Sequence, residues 1–226
     1  MKVLITSGAT REPIDSVRFL TNFSTGATGA VLADHFRRRG HRVVYLHGRG
    51  AQKPEGPVEC IAFEDFKDLD RRLRELLRGR RFDLVLHLAA VSDYSVAAVL
   101  IDGRRQRPAR LRKIDSGAEV RVELKRNFKI LGRLAGYAAN RPLIVGFKLT
   151  DTKDQAAIRR AVGRLGCGLV VHNDLRDMAD GRPRRFRIFG SGRWIAACSS
   201  RAELARRLCA VAEHRRGHAS CIGRGQ

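Results

Sequence analysis

Hydrophobic positions change period along this chain in a regular way. Residues 2–6 (KVLIT) form an apolar, β-branched run that stops at Ser7-Gly8-Ala9, which predicts a buried strand feeding a loop. From Ala27 the positions Val31, Leu32, His35 and Phe36 share one helix face, and Arg37 to Gly40 supply a basic last turn and a glycine stop. Residues 41–46 (HRVVYL) predict the second strand. Strand, glycine-bearing loop, helix and strand make a right-handed βαβ unit.

The alternation continues with a short strand at 60–62, a helix whose apolar face is Phe66, Leu69, Leu73, Leu76 and Leu77, and a central strand at 82–88. Residues 101–112 are arginine-rich without apolar period and predict a mobile loop. The period-two segment 119–124 (EVRVEL) predicts a half-exposed strand. A helix over 128–139, a strand at 143–149, a helix over 154–165 and a strand at 168–172 follow. Residues 185–189 and 193–197 flank Gly190-Ser191-Gly192 as a hairpin, and a last helix is expected over 202–214. The whole predicts an α/β fold: a Rossmann-like, doubly wound, mostly parallel sheet with an added C-terminal hairpin region. It predicts one domain over 1–213 and a disordered tail over 214–226.

Ligands of open parallel sheets sit at the carboxyl ends of the strands. That places the long loop after the first strand, 7–29, opposite Ala89-Ala90-Val91-Ser92-Asp93-Tyr94. Glycines and small hydroxyl residues let backbone N–H groups approach an anion, and the helix amino end adds a favourable dipole. Arg11 and Arg18 are suited to bidentate contacts with phosphate or carboxylate. A G-x-G-x-x-G fingerprint is absent: after Gly8 the loop's glycines come at Gly26 and Gly29, and the second strand runs into His47-Gly48-Arg49 without a ribose-binding acid. Arg49 could hold a 2′-phosphate, which keeps an NADP-dependent reductase as a second reading.

Composition changes the picture in three places. No apolar run among the 226 residues approaches the roughly 20 that a membrane helix needs, and Met-Lys-Val-Leu-Ile leads into a strand, not a signal peptide, so a soluble cytoplasmic protein is expected. The cysteines (Cys60, Cys167, Cys198, Cys209, Cys221) are scattered without CxxC spacing, and histidines 35, 41, 47, 87, 214 and 218 show no ligand spacing, so neither a disulfide framework nor a zinc site is indicated. The charge is +22, from 45 Lys+Arg against 23 Asp+Glu, which is the footprint of a nucleic-acid binder. Yet 37 of the 45 are arginine, they are spread over the whole chain, and aromatics make up only 6%. A nucleic-acid-binding module is therefore a third reading, and specific nucleic-acid binding is not expected.

The stretch ITSGATREPIDSVRFLTNFSTGATG, residues 5–29, closely resembles the amino-terminal signature of the phosphopantothenate–cysteine ligase (phosphopantothenoylcysteine synthetase) family. Further segments agree in order: AAVSDY at 89–94, KIDS at 113–116 followed by LKRNFKIL at 124–131, and GFKL at 146–149 with HND at 172–174. The spelling looks like the stand-alone bacterial form, which lacks the fused flavin-dependent half, so no flavin is expected. The resemblance implies a two-step reaction in coenzyme A biosynthesis. CTP, or ATP in eukaryotic members, activates the carboxylate of 4′-phosphopantothenate as an acyl nucleotidylate with Mg²⁺ and releases pyrophosphate; the amine of L-cysteine then displaces CMP.

The resemblance also assigns residues. Asn22 matches the position that holds substrate and acyl intermediate, beside Arg11 and Arg18, and Lys113 matches the lysine that closes over the triphosphate. Gly8, Ala89, Ala90 and Asp93 match the loops lining the nucleotide, with Asp93 the candidate for ribose or metal. Phe128, Lys129, Ile130 and Leu131 fill a nucleotide-contacting turn often written Asn-Pro-Asp-Ile, of which Asn127 is kept while Phe128 replaces proline and Lys129 the acid. Phe147 matches an aromatic that packs on the nucleotide, and Arg160 and Arg164 replace two phosphate-binding lysines one helical turn apart. A homodimer is implied, with EVRVEL and the 185–197 hairpin as its candidate contacts.

Overall fold

The computed structural model describes residues 1–108, 111–179 and 185–222. The first apolar run becomes β1 (Lys2–Ser7), whose Val3, Leu4 and Ile5 are fully buried. The loop after it holds a small antiparallel hairpin, β2 (Arg11–Pro13) and β3 (Phe19–Thr21), which the sequence pattern did not predict. Next come α1 (Ala27–Arg38), β4 (Arg42–Gly48), β5 (Glu59–Phe63), α2 (Phe66–Gly79) and β6 (Leu84–His87). The Asp65 side chain caps α2 by accepting from the Asp68 backbone N–H at 2.8 Å.

A second unit interrupts the alternation. β7 (Tyr94–Ile101), β8 (Arg104–Gln106) and β9 (Val120–Arg126) form a separate antiparallel sheet in the order β8-β7-β9. The segment expected as a mobile loop thus contains a strand, because Asp102 (φ 48°) and Gly103 (φ 78°) make the left-handed turn that joins β7 to β8. Asp-Gly between apolar runs is a strong hairpin signal, and here it outweighs the arginines. Ala109 and Arg110 lie outside the described residues. The expected strand at 119–124 is present as β9, but every residue in it is exposed.

The helix expected over 128–139 is reduced to a 3₁₀ turn (Ile130–Arg133) and one turn of helix, α3 (Leu134–Tyr137). Gly132 and Gly136 each weaken a helix by about 1 kcal/mol, and the Asn140 side chain ties the segment to the Phe82 backbone instead. The main sheet resumes with β10 (Leu143–Thr150), α4 (Gln155–Gly163), β11 (Leu169–Asp174), α5 (Arg176–Ala179), the hairpin β12 (Phe186–Gly190) and β13 (Arg193–Cys198), and α6 (Arg201–Ile222). The last helix continues past His214, where a disordered tail was expected, because no proline interrupts it; residues 223–226 lie outside the described residues.

The main sheet has eight strands in the order β13-β12-β11-β10-β6-β1-β4-β5. Six are parallel, and β12 and β13 add an antiparallel edge, as the hairpin pattern predicted. Leu32, Ala33 and Phe36 of α1 and Leu204, Leu208 and Cys209 of α6 cover one face. Phe66, Leu69, Leu73 and Leu77 of α2, with Ile130 and Leu134, cover the other. Among the described residues, no helix is long and apolar enough to cross a membrane. The strand order reverses between β1 and β6, and there the two loops singled out from the sequence leave the sheet.

Candidate active site

The switch point is built from Gly8 upward. Gly8 has φ +80°, and a Cβ there would lie 2.6 Å from the Ala51 Cβ, so any side chain would push the β4 loop away. Gly29 lets α1 close onto β1: a Cβ would meet the Ser7 Oγ at 2.2 Å. The amino end of α1 has Gly26 as its cap, with no side-chain hydrogen bond to it and no acidic residue in the first turn. Such a helix end favours an anion.

The loop after β6 is stitched to the loop after β1. Ala89 N–H donates to Thr6 Oγ1 at 3.1 Å, Ala90 N–H to the Gly8 carbonyl at 2.8 Å, and Ser92 N–H to Thr10 Oγ1 at 3.0 Å. The Thr10 N–H returns a bond to the Ala90 carbonyl at 3.3 Å. The Ala89 and Ala90 donors are thus used inside the fold, and their carbonyls accept from the Val91 and Thr10 N–H groups. Asn22 reaches the same loop, its Nδ2 donating to the Val91 carbonyl at 3.3 Å while its side chain remains exposed.

Asp15 connects this arm to a third segment. Its carboxylate accepts from the Val17 and Arg18 N–H groups, the Arg18 guanidinium and, across the site, the Ile114 N–H at 3.1 Å. Burial alone would raise its pKa, but these bonds outweigh burial and hold it well below the usual carboxylate range. Arg18 also donates to the Ile114 carbonyl at 3.3 Å. Ile114 is buried against Val96 and Val99, and its neighbour Lys113 is exposed. The structure therefore brings Arg18, Asn22, Lys113 and the 89–93 loop to one end of the sheet. Arg11 lies in the same arm, with its guanidinium 4.6 Å from the Phe19 ring centre.

Several expected nucleotide contacts occupy other roles. Asp93 is exposed and ion-paired with Lys129. Phe128 packs edge-on against Phe66 at 4.8 Å under the Arg133 guanidinium, Ile130 is buried in the core, and Leu131 fills the space above Gly146. Of the four residues 128–131, only Lys129 is fully exposed; the other side chains serve packing. Phe147 is half-buried against the main core. Arg160 is exposed and 3.8 Å from Asp154, and Arg164 is the C-cap of α4, on the stretch that leads back to the amino end of β11, away from the switch point. Arg49, the residue that kept a reductase in view, is ion-paired with Glu64.

Sequence reasoning passed over a buried polar network beneath the site. Glu12, 3% exposed, accepts from Phe66 N–H at the start of α2 (2.9 Å) and from Ser95 Oγ (2.7 Å). Burial raises its pKa, and those hydrogen bonds only partly offset the shift. Asn127 donates to the Ser92 carbonyl and to Ser95 Oγ, and its backbone N–H bonds the Asp93 carbonyl at 2.8 Å. Glu12 lies inside the recognised signature, and Asn127 is the retained residue of the altered turn, so both signals were present. On the other side of β10, Thr150 Oγ1 lies 2.8 Å from His172 Nε2 and donates to Asp174 at 2.7 Å, which fixes the 150–154 loop.

The comparisons with known proteins agree with this fold. The profile of the DNA/pantothenate metabolism flavoprotein C-terminal domain family matches residues 1–212. The chain is 32% identical over 179 residues to the coenzyme A biosynthesis bifunctional protein CoaBC of Thermococcus kodakarensis, covering 77% of this chain and 41% of that protein. It is 31% identical over 175 residues to the Bacillus subtilis protein of the same name, covering 77% and 40%. The chain thus spans about two fifths of the length of these curated relatives. Among solved structures, the DNA/pantothenate metabolism flavoprotein from Streptococcus pneumoniae superposes with a TM-score of 0.80 at 24% identity, over 95% of this chain and 99% of that one. A Cab2 H337A mutant in complex with phosphopantothenate-cysteine gives 0.68 at 21% identity, over 97% and 88%. The structural likenesses establish the fold, and the profile match covers nearly the whole sequence: the chain belongs to the DNA/pantothenate metabolism flavoprotein C-terminal domain family.

Proposed function

We propose that this chain joins 4′-phosphopantothenate to L-cysteine, with CTP (or ATP) as cosubstrate, in the cytoplasmic synthesis of coenzyme A. The observation that carries this reading is the convergence of Arg18, Asn22, Lys113 and the 89–93 loop at the switch point. It is supported by the family membership and by the coenzyme A biosynthesis names of the curated relatives. The carboxylate oxygen of phosphopantothenate attacks the α-phosphorus, and pyrophosphate leaves. The cysteine amine then attacks the acyl carbon, CMP leaves, and the amine proton passes to solvent.

Each residue has a task suited to its position. Asn22, tethered to Val91 but exposed, can turn its amide to an acyl oxygen or an amide N–H. Lys113 rides on a strap pinned by Ile114, so its charge reaches the triphosphate without the strap unfolding. Gly8 and the α1 amino end accept a phosphate, Arg11 and Arg18 a further anion. Phe147 packs on the nucleotide, Lys129 and the 128–131 backbone border it, and Arg160 attracts phosphate from α4. A Mg²⁺ ion carried by a triphosphate keeps several waters and needs one or two protein carboxylates. Asp93, exposed at the loop, fits that requirement once Lys129 turns aside; the ion would neutralise phosphate charge.

We also propose a homodimer. β9 presents Val120, Val122 and Leu124 on one face, 41%, 39% and 48% exposed, which is an apolar stripe suited to a second copy.

The test is pyrophosphate release with purified protein. Release should require CTP or ATP plus phosphopantothenate but not cysteine, and nucleoside monophosphate should appear when cysteine is added. Silence with every nucleotide would overturn the ligase reading.

A further inference from the structure

A cluster of donor atoms lies at the amino edge of the sheet, at the opposite end from the switch point. His41 immediately precedes β4, and Cys209 and Glu213 are one helical turn apart on α6. His41 Nε2 is 3.5 Å from Cys209 Sγ and 3.1 Å from Glu213 Oε1, and Sγ is 3.6 Å from Oε1. The other ring nitrogen, Nδ1, faces the Met1 nitrogen at 3.3 Å, so Nε2 is the one turned toward the two α6 donors. Zinc bonds of about 2.3 Å to sulfur and about 2.0–2.1 Å to nitrogen or oxygen, at tetrahedral angles, set donor atoms roughly 3.3–3.6 Å apart. The three observed separations lie close to that range.

We propose that His41, Cys209 and Glu213 form a site for a borderline-soft divalent transition-metal ion of the zinc type, bound through Nε2, Sγ and a carboxylate oxygen, with water in the fourth position. The donor set itself selects the ion. A sulfur, an imidazole and a single carboxylate suit zinc or cobalt, whereas magnesium takes an octahedral shell of oxygens. Coordination replaces the Cys209 S–H proton, which passes to solvent through the partly open Glu213 side. Arg39, whose guanidinium is 3.4 Å from Glu213, is 58% exposed and can turn to water, and an exposed pair of this kind contributes little. Cys209 belongs to the main core, so the ion would fasten α6 to the start of β4 and stabilise the fold by mass action.

The experiment uses the full chain and Co²⁺ alone, without nucleotide. One equivalent should produce tetrahedral d–d bands and a near-ultraviolet sulfur-to-cobalt charge-transfer band, which Zn²⁺ should bleach. Cys209→Ser should lose the charge-transfer band while remaining folded by circular dichroism. Loss of even an outer-shell partner costs about 10–100-fold in affinity, so Glu213→Gln should keep the band and bind at least about tenfold more weakly. The absence of a charge-transfer band in the wild-type protein would overturn the site. So would the same band in Cys209→Ser, since another cysteine would then be the ligand. Should Cys209→Ser fail to fold, unchanged affinity in Glu213→Gln would overturn it equally.

Discussion

The Ile114 backbone N–H donates to the Asp15 carboxylate at 3.1 Å, although the two residues are separated by ninety-nine positions in the chain. This bond, with the Arg18 contact to the Ile114 carbonyl, holds the Lys113 strap against the hairpin arm. Asp15→Asn keeps the shape and removes the charge that four donors address. It should loosen the strap, and trypsin should cut after Arg112 or Lys113 faster than in the wild type. An unchanged cleavage rate there would dissociate the carboxylate from the docking. The folded pKa of Asp15 is depressed, so its contribution is present above the ordinary carboxylate value of 3.8 and fades as pH falls below it.

Asn22 and Lys113 are both exposed and carry little of the core. Lys113→Gln and Asn22→Asp should therefore each leave the melting temperature nearly unchanged while lowering turnover by about 10²–10³-fold, the usual cost of losing a transition-state donor. Steady-state assays of product formation beside a thermal melt separate the two quantities. Near-wild-type turnover in either variant would remove that residue from the mechanism.

Glu12 is a buried acid that anchors the arm to α2. Glu12→Ala leaves the Phe66 N–H without its acceptor, at about 1–3 kcal/mol for a buried group left unsatisfied, while the Ser95 hydroxyl keeps the Asn127 Oδ1 at 3.1 Å. Its folded pKa is raised by burial, so the folded state binds the proton more tightly and this group's contribution declines as pH rises above the unfolded value near 4.5. Glu12→Gln, which cannot ionise, should lose less stability than the wild type between pH 4 and pH 7. Parallel melting curves with pH would contradict the assignment.

His87 and His172 respond to pH in the opposite sense. Burial pushes both imidazoles down to about 4, with the Arg187 charge adding to the effect at His172. A histidine with a folded pKa below its unfolded value of 6.5 protonates more readily when unfolded. Its stabilisation is complete above pH 6.5 and is lost as the pH falls toward 4. Each kcal/mol lost should lower the melting temperature by about 2–4 °C in a domain of this size. Replacing His172 with Asn should flatten that acid limb, which melts across the range would reveal.

The β9 stripe offers a direct test of assembly. Val122→Glu places a charge in the middle of an exposed apolar face and should convert a dimer to a monomer of 25.2 kDa by light scattering. A wild-type protein that already scatters as a monomer would contradict the proposed interface.

The repeated strand–helix alternation was enough to determine the doubly wound sheet, its buried β1 and β6, and the C-terminal hairpin, because those elements are specified by local periodicity and by glycine-containing turns. The signature from Ile5 to Gly29 was likewise legible, since it is a contiguous motif, and the proposed roles of Asn22 and Lys113 rest on such motifs. What the tertiary structure alone decided depends on distance along the chain. Local pattern did not reveal that Tyr94–Ile101 pairs with a strand twenty residues further on, or that Phe128, Ile130 and Leu131 turn into the core. Nor could spacing bring His41 to Cys209, 168 residues away. Such contacts are fixed only when the sheet order reverses between β1 and β6 and α6 packs back against α1, because burial of the shared apolar faces, not any local preference, brings those residues together.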